Sequence, residues 1–329
     1  MKTIRIGLIG VFINLALLAL FGCTKSIQTP TPLATPPLTS APIKMQTALL
    51  TENIFFDDFS YTDQQTMTDN GWIIRDKAGW PGVPGASWLK QSINFVDDPD
   101  QAGNHWVQMI SSTDGTASGT QQAQICHQRK YLEGTYATRV RFTDEPITGP
   151  DGDQVVETFY MISPLKAALD PDYSEMDNEY LPNGGWGNNN SVFFVTTWET
   201  VQIEPWLADN TSDNTQGSMA GWHTIVMQVI NGNVNYLLDG KLVATHGEKY
   251  YPEVAMSINY NLWFINGGLL DSSEARQYSE YVDWVYFAAG TQLTPTEVSA
   301  RVDALREAGF SFQDTVPAWD PTLISPCDF

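Results

Sequence analysis

The chain has 329 residues, of which 42% are hydrophobic and 17% are charged, so it holds enough apolar material for a globular fold and is not a disordered protein. Its 38 acidic residues outnumber its 17 basic ones and give a formal net charge of -21. A field of that sign repels phosphate backbones and anionic lipid headgroups, which excludes nucleic acid as an expected partner.

The first 22 residues are typical of a secretory signal. Lys2 and Arg5 precede the apolar stretch 6–21, which a small residue and Cys23 follow. A cysteine at this place resembles the signal of bacterial lipoproteins, in which residues 1–22 are removed and Cys23 is lipidated. The alternative is an uncleaved membrane helix, for which the apolar stretch is short. We therefore expect an extracytoplasmic protein, anchored by lipid to a bacterial membrane at the cell surface or in the periplasm.

Residues 23–50 are rich in Thr, Pro, Ser and Ala. Proline fixes φ and removes a backbone donor, so this composition predicts an extended linker of about 3 Å per residue. Such a linker is a stalk between the lipid and a folded domain.

Residues 51–290 read as one domain of short strands without an internal repeat. Asn231 with Gly232, and Asp239 with Gly240, each stand between two strand-like runs, as tight hairpin turns require. Serial hairpins of this kind predict an all-β sandwich of antiparallel sheets. The clearest β-branched and aromatic runs are 136–142, 191–198, 224–230 and 234–238.

A C-terminal extension, 291–329, contains the clearest helix signal. Thr294 is an N-cap candidate, Pro295 suits the first helical position, and Glu297 lies three residues after the cap. The pattern predicts one helix that ends before Gly309 and packs on the sandwich.

Cys126 and Cys327 are the cysteines that remain beside Cys23. In an oxidising compartment they either form one disulfide or stay as buried thiols. A zinc site is not expected, because no Cys or His stands at ligand spacing to another among only four histidines.

The run from Ser174 to Tyr180 carries three acids at alternate positions. Side chains alternate along a strand, so Glu175, Asp177 and Glu179 project from one face and Met176 and Asn178 from the other. The alternative for such a triplet is a solvated acidic face with no chemistry.

Residues 175–181 resemble the acid strand E-[ILVM]-D-x-E of glycoside hydrolase family 16. That resemblance implies a concanavalin A-like β-jelly-roll of two antiparallel sheets, and hydrolysis of polysaccharides with retention of configuration. Other segments resemble the family's strands in the same order: 56–59, 134–141, 155–160, 221–224, 236–240, 259–263 and 281–285.

The resemblance implies a role for each acid. Glu175 would be the nucleophile, Asp177 the assisting acid and Glu179 the general acid/base. Their outer Cα atoms lie about 13 Å apart on a strand, and side chains that lean together can reach the ~5 Å of retaining enzymes. We expect an endo-acting enzyme on a neutral β-glucan, since the net charge disfavours sulfated or uronic polysaccharides unless a local basic groove overrides it.

Four residues are candidates for substrate binding. Trp263 and Asn261 would lie along the cleft, and Trp186 stands in a Gly/Asn-rich loop just after the acids. Gln124 occupies a strand where the family places polar residues near the sugar. The alternatives are core packing for a tryptophan and a flexible turn for the loop.

The chain also departs from the family. Asn178 stands where an apolar residue usually faces the core, and this keeps a second hypothesis open, a lectin-like surface lipoprotein that binds carbohydrate without cleaving it. The resemblance implies no cofactor in catalysis and a possible structural calcium ion, to which Asp57 or Asp283 could contribute. We expect a monomer.

Overall fold

A computed structural model describes residues 52–324 and residue 327. The predicted signal, the lipidation site Cys23 and the linker lie outside these residues, so they stay predictions. Within the described part of the chain, no helix is long and apolar enough to cross a membrane.

The described residues form a mostly β structure with two α-helices, α1 (Gln64–Asp69) and α2 (Pro295–Glu307). The strands are β1 (Ile54–Asp57), β2 (Ile73–Ile74), β3 (Ser87–Trp88), β4 (Ile93–Asp97), β5 (His105–Thr113), β6 (Gln121–Cys126), β7 (Gly134–Phe142), β8 (Val155–Ile162), β9 (Glu175–Leu181), β10 (Val192–Gln202), β11 (Leu207–Gln216), β12 (Gly221–Ile230), β13 (Asn233–Leu238), β14 (Lys241–Gly247), β15 (Ser257–Phe264), β16 (Arg276–Ala289) and β17 (Phe312–Asp314).

The strands form two sheets that are antiparallel, as the sequence predicted, except that the two-residue strand β3 pairs with β6 in parallel. The cleft sheet has the order β11-β10-β9-β8-β15-β6-β2. The outer sheet has the order β14-β13-β12-β7-β16, and the long strand β16 then pairs with β5 along its first half and with β1 along its second. Two further strands, β4 and β17, extend this sheet beside β5 and β1.

Strand alternation places the core between the sheets and the acids outside it. Met176 and Tyr180 point from β9 into the main hydrophobic core, together with apolar residues from both sheets. Asn178 lies on the same face, and its side-chain amide donates to the Phe159 carbonyl at 3.1 Å. The polar residue on the core side is therefore hydrogen-bonded, and β9 keeps its register with both neighbours.

The predicted hairpins and the helix are confirmed. Asn231 and Gly232 connect β12 to β13 with φ of 53° and 75°, the left-handed geometry of a tight primed turn. Thr294 caps α2 through a reciprocal pair of hydrogen bonds with Glu297. Val298 and its apolar neighbours on α2 cover the outer face of the outer sheet.

The C-terminal segment returns to the body of the sandwich after α2. Strand β17 pairs with β1, and Cys327 forms a disulfide with Cys126 on β6. Of the two alternatives for these cysteines, the structure has the disulfide. It joins positions 201 residues apart, so a cross-link at the edge of the cleft sheet fixes the tail in place.

Candidate active site

The three acids lie on β9, between β8 and β10 and near the middle of the cleft sheet. They project from the face opposite the core, so one continuous row of carboxyl groups lines the floor of the cleft. Trp198 on β10 stands directly opposite Glu175, and Thr158 on β8 stands opposite Glu179.

Hydrogen bonds distinguish the carboxyl groups from one another. The Tyr173 hydroxyl donates to Glu175 Oε2 at 2.5 Å, and Trp198 Nε1 donates to Asp177 Oδ2 at 2.6 Å. Asp177 also shares a hydrogen bond with Glu175, in which the protonated Asp177 stabilises the Glu175 carboxylate. Among the described residues, no hydrogen bond lowers the pKa of Glu179.

Burial raises the pKa of all three carboxyl groups. At Glu175 the two donated hydrogen bonds oppose this effect, because they favour the charged form. At Glu179 the negative charge of Glu175 adds to it, and at Asp177 the charges of both neighbours do. Of the three groups, Glu175 therefore ionises first as the pH rises, while Asp177 and Glu179 keep their protons to higher pH.

The space above the acids is divided into two unequal chambers. The wide chamber, over β9, β10 and β11, has a volume of about 440 Å³, which is within the range of ligand-binding pockets. The narrow chamber, over β8 and β15, has a volume of about 60 Å³. The acids line both chambers, so the reacting bond of a ligand would lie at the boundary between them.

Aromatic side chains surround the wide chamber at both ends of the acid row. Trp198 and Trp206 lie at the Glu175 end with ring centroids 6.1 Å apart. Trp186 lies at the other end, 5.7 Å from Phe194 and 6.2 Å from Trp263. Flat apolar faces with polar groups between them suit the alternating apolar and hydroxyl-bearing surfaces of sugar rings. The full aromatic set is Trp80, Trp186, Phe194, Trp198, Trp206 and Trp263.

Three of the four predicted binding residues line the cleft. Trp263 is mostly buried, at 9% exposure, and presents one side to both chambers. Trp186 is 49% exposed and stands at the mouth of the wide chamber. Asn261 lies in the floor of the narrow chamber, where its Oδ1 accepts from Thr158 Oγ1 at 2.6 Å.

Gln124 lies beneath the cleft surface instead of on it. Its side chain is buried, accepts from the Arg75 guanidinium at 2.9 Å and donates to the Tyr160 hydroxyl at 2.7 Å. It also donates to the backbone carbonyl of Cys327. Gln124 therefore positions two residues of the narrow chamber together with the tail.

Sequence reasoning missed Tyr173, Trp198, Trp206 and Trp80. Tyr173 lies two residues before Glu175, so its alternate spacing was visible in the sequence. The place of Trp198 depends on the pairing of β9 with β10, and Trp80 and Trp206 come from loops at opposite edges of the cleft sheet. Those pairings are tertiary, and no local pattern in the sequence predicts them.

The two acids considered for calcium are occupied by protein donors. Asp57 accepts from Tyr61 at 2.5 Å and Trp72 at 2.7 Å, and Asp283 accepts from the guanidinium groups of Arg139 and Arg306. Residues 52–324 and 327 contain no cluster of three or more His, Cys, Asp or Glu that could hold a metal ion. Neither Asp57 nor Asp283 thus fits the role of a calcium ligand.

Comparison with solved structures places this architecture among β-glucanases. The chain is similar to the β-glucanase of Bacillus licheniformis, with 13% identity over 74% of this chain and 100% of that one and a TM-score of 0.52. It is similar to a prokaryotic β-1,3-1,4-glucanase (lichenase) derived from a mouse hindgut metagenome, with 18% identity over 71% and 98% and a TM-score of 0.51.

A glycoside hydrolase family 16 protein of Bacteroides ovatus, solved in complex with a product, has 13% identity over 70% of this chain and 98% of that one and a TM-score of 0.54. The chain has the fold of these enzymes. No protein-family model and no curated protein matches the sequence. At this level of identity the likeness establishes the jelly-roll fold, and the chemistry rests on the site itself.

Proposed function

We propose that this protein is a retaining β-glycosidase that hydrolyses a neutral polysaccharide, most simply a β-glucan. The observation that carries the proposal is the row of three acids on one strand face, in which hydrogen bonds favour the ionised form of Glu175 and burial favours the protonated form of Glu179. A retaining glycosidase needs such a pair, one carboxylate to attack and one carboxylic acid to donate a proton.

The reaction would proceed by double displacement. Glu175 forms a bond to the anomeric carbon as the glycosidic C–O bond breaks, and Glu179 gives its proton to the leaving oxygen. Glu179, now ionised, then takes a proton from water, whose oxygen attacks the anomeric carbon and releases Glu175. Asp177 holds the Glu175 carboxylate by its hydrogen bond and is in turn held by Trp198.

The lining of the wide chamber favours a neutral sugar chain. Apart from the aliphatic Val201, its residues are aromatic, amide-bearing, hydroxyl-bearing or acidic, and none of the described residues that line it is Lys or Arg. A sulfated or uronic chain would meet the acids there without a compensating cation. A local basic groove, which could have overridden the net charge of -21, is thus not part of that chamber.

We further propose that lipidated Cys23 and the linker hold the enzyme outside the cytoplasm on a bacterial membrane, as a monomer. The support is the N-terminal sequence pattern alone. Labelling of the expressed protein with a fatty-acid analogue tests the anchor, and Cys23→Ala should abolish that labelling. Incorporation that persists in the variant would exclude this anchor.

The assay for catalysis is the release of reducing ends from laminarin, lichenan, xyloglucan and agarose. We expect Glu175→Gln to lower the rate on the cleaved glycan at least about 1,000-fold without unfolding the protein. The matched control is Glu274→Gln, an exposed acid on a loop, which should keep the full rate. Full activity in Glu175→Gln would refute the assignment, and binding without release by the unmodified protein would favour the lectin-like alternative.

A further inference from the structure

The two chambers differ in size because the C-terminal tail and one loop occupy part of the cleft at its narrow end. The wide chamber, at about 440 Å³, has room for an oligosaccharide, whereas the narrow chamber, at about 60 Å³, has room for one sugar ring at most. A groove that bound the interior of a long chain would need space for several sugar units on both sides of the acids.

The C-terminal tail forms one part of the closing wall. Cys327 lines the narrow chamber and is bonded to Cys126 on β6, a strand of the cleft sheet itself. Gln124, two residues before Cys126, donates to the Cys327 carbonyl, and the Arg129 guanidinium donates to the Ile324 carbonyl at 2.7 Å. A covalent bond and hydrogen bonds thus fix Ile324 and Cys327 at this end of the cleft.

The loop between β2 and β3 forms the other part of the wall. The Arg75 guanidinium donates to Gln124, to the Lys77 carbonyl at 3.0 Å and to the Trp80 carbonyl at 3.1 Å. It also stacks on Trp88 at 4.2 Å, so the same side chain ties the loop both to itself and to the cleft sheet.

Trp80, at the tip of this loop, extends over the acids and reaches the opposite edge of the sheet. Its ring centroid lies 6.2 Å from that of Trp206, which stands in the turn between β10 and β11. Trp80 lines both chambers, so it lies above the boundary at which the reacting bond would be placed.

We propose that this wall limits the bound glycan to one sugar unit on the narrow side, so that the enzyme removes single terminal units from a chain end. This inference rests on the proposed glycosidase function and replaces the internal cleavage that the sequence led us to expect. The reaction is the same double displacement: one glycosidic bond and one water molecule give a free monosaccharide and a chain shortened by one unit.

The first test is the product pattern of the full-length protein in detergent. The substrate is laminarihexaose, or the hexasaccharide of whichever polymer in the panel is cleaved. Early in the reaction, monosaccharide and pentasaccharide should appear in equal amounts and dominate the products. Di-, tri- and tetrasaccharides as the main early products would refute the proposed limit of one sugar unit but not the glycosidase function. Absence of hydrolysis on every glycan would overturn both.

The second test opens the wall. In the double variant Cys126→Ser with Cys327→Ser, the tail loses its covalent anchor, and the share of internal products should rise by about five-fold or more. Trp80→Ala removes the overhanging ring but keeps the disulfide, so it tests the same idea if the double variant fails to fold. Ala318→Ser, an exposed change on the same tail, is the matched control and should keep the original pattern. The proposal would be refuted if the double cysteine variant and Trp80→Ala both fold and both keep the product pattern of the unmodified protein.

Discussion

Removal of one hydroxyl group, in Tyr173→Phe, tests how Glu175 is kept ionised. The Tyr173 hydroxyl donates to Glu175 Oε2 at 2.5 Å, and the tyrosine side chain is only 2% exposed, so water has little access to replace it. A hydrogen bond to a charged group contributes about 1.5–3 kcal/mol, and about 1.4 kcal/mol corresponds to one pKa unit. The substitution should therefore raise the pKa of Glu175 by about 1 to 2 units.

The direction of the change in activity follows from the roles of the two acids. Activity needs Glu175 ionised and Glu179 protonated, so it rises through the pKa of Glu175 and falls through that of Glu179. Burial raises these pKa values to about 7 and about 8, which predicts a narrow maximum of kcat/KM between them. In Tyr173→Phe the acidic limb should move upward toward the alkaline limb, and kcat/KM at neutral pH should fall about 5-fold or more.

The measurement is kcat/KM on the cleaved oligosaccharide from about pH 5 to about pH 10. Tyr281→Phe is the matched control, because it removes a tyrosine hydroxyl that accepts a hydrogen bond from Gln108 at 3.0 Å on the outer sheet. Its profile should match that of the unmodified protein. A folded Tyr173→Phe protein with an unmoved acidic limb would refute the account of Glu175.

Two further predictions concern other carboxyl groups. Glu179→Ala should lose activity on glycans. Azide should restore turnover of a substrate with a good leaving group, because it attacks the sugar bound to Glu175 and gives a β-glycosyl azide detectable by NMR. An α-glycosyl azide would show instead that Glu179 is the nucleophile and Glu175 the general acid/base. Burial, and then the charge of Glu157, raise the pKa of Glu280 well above its ordinary value in the folded protein. As the pH rises above about 4.5, Glu280 therefore loses its proton in the unfolded chain before it does so in the folded protein, and the folded protein becomes less stable. We therefore compare the unfolding free energy of Glu280→Gln with that of the unmodified protein by urea unfolding at pH 5 and at pH 7.5. The difference should shift in favour of the variant by at least about 2 kcal/mol between these pH values. A difference that is the same at both pH values would contradict the prediction.

Local sequence patterns predicted those parts of the fold that local physics determines. The turn at Asn231 and Gly232 needs left-handed backbone at two adjacent positions, and few residue pairs adopt it readily. The cap at Thr294 needs a hydroxyl and an acid three residues apart. The face shared by the acids on β9 needs only strand alternation, so each of these features was visible in a few neighbouring residues.

The remaining features depend on pairings between distant segments. Trp198 holds Asp177 because β10 pairs with β9 in one particular register, and a shift of one residue would turn the indole toward the core. Gln124 has the polar side chain that the sequence led us to expect at the substrate. In the structure its side-chain amide instead donates to the Cys327 carbonyl of the tail. The sequence shows which groups are available, whereas long-range packing decides which of them meet a ligand.

The burial that favours the protonated form of Glu179 also favours protonation of the nucleophile, Glu175. Desolvation raises the pKa of every carboxyl group in the row, and without local donors Glu175 would be protonated along with its neighbours. Tyr173 and Asp177 favour the ionised form of Glu175 alone, while Trp198 holds Asp177 in place to donate. The difference between nucleophile and acid on this strand is therefore produced by donors that contact Glu175 and not Glu179, which is why a hydroxyl outside the acid row should control the pH at which the site works.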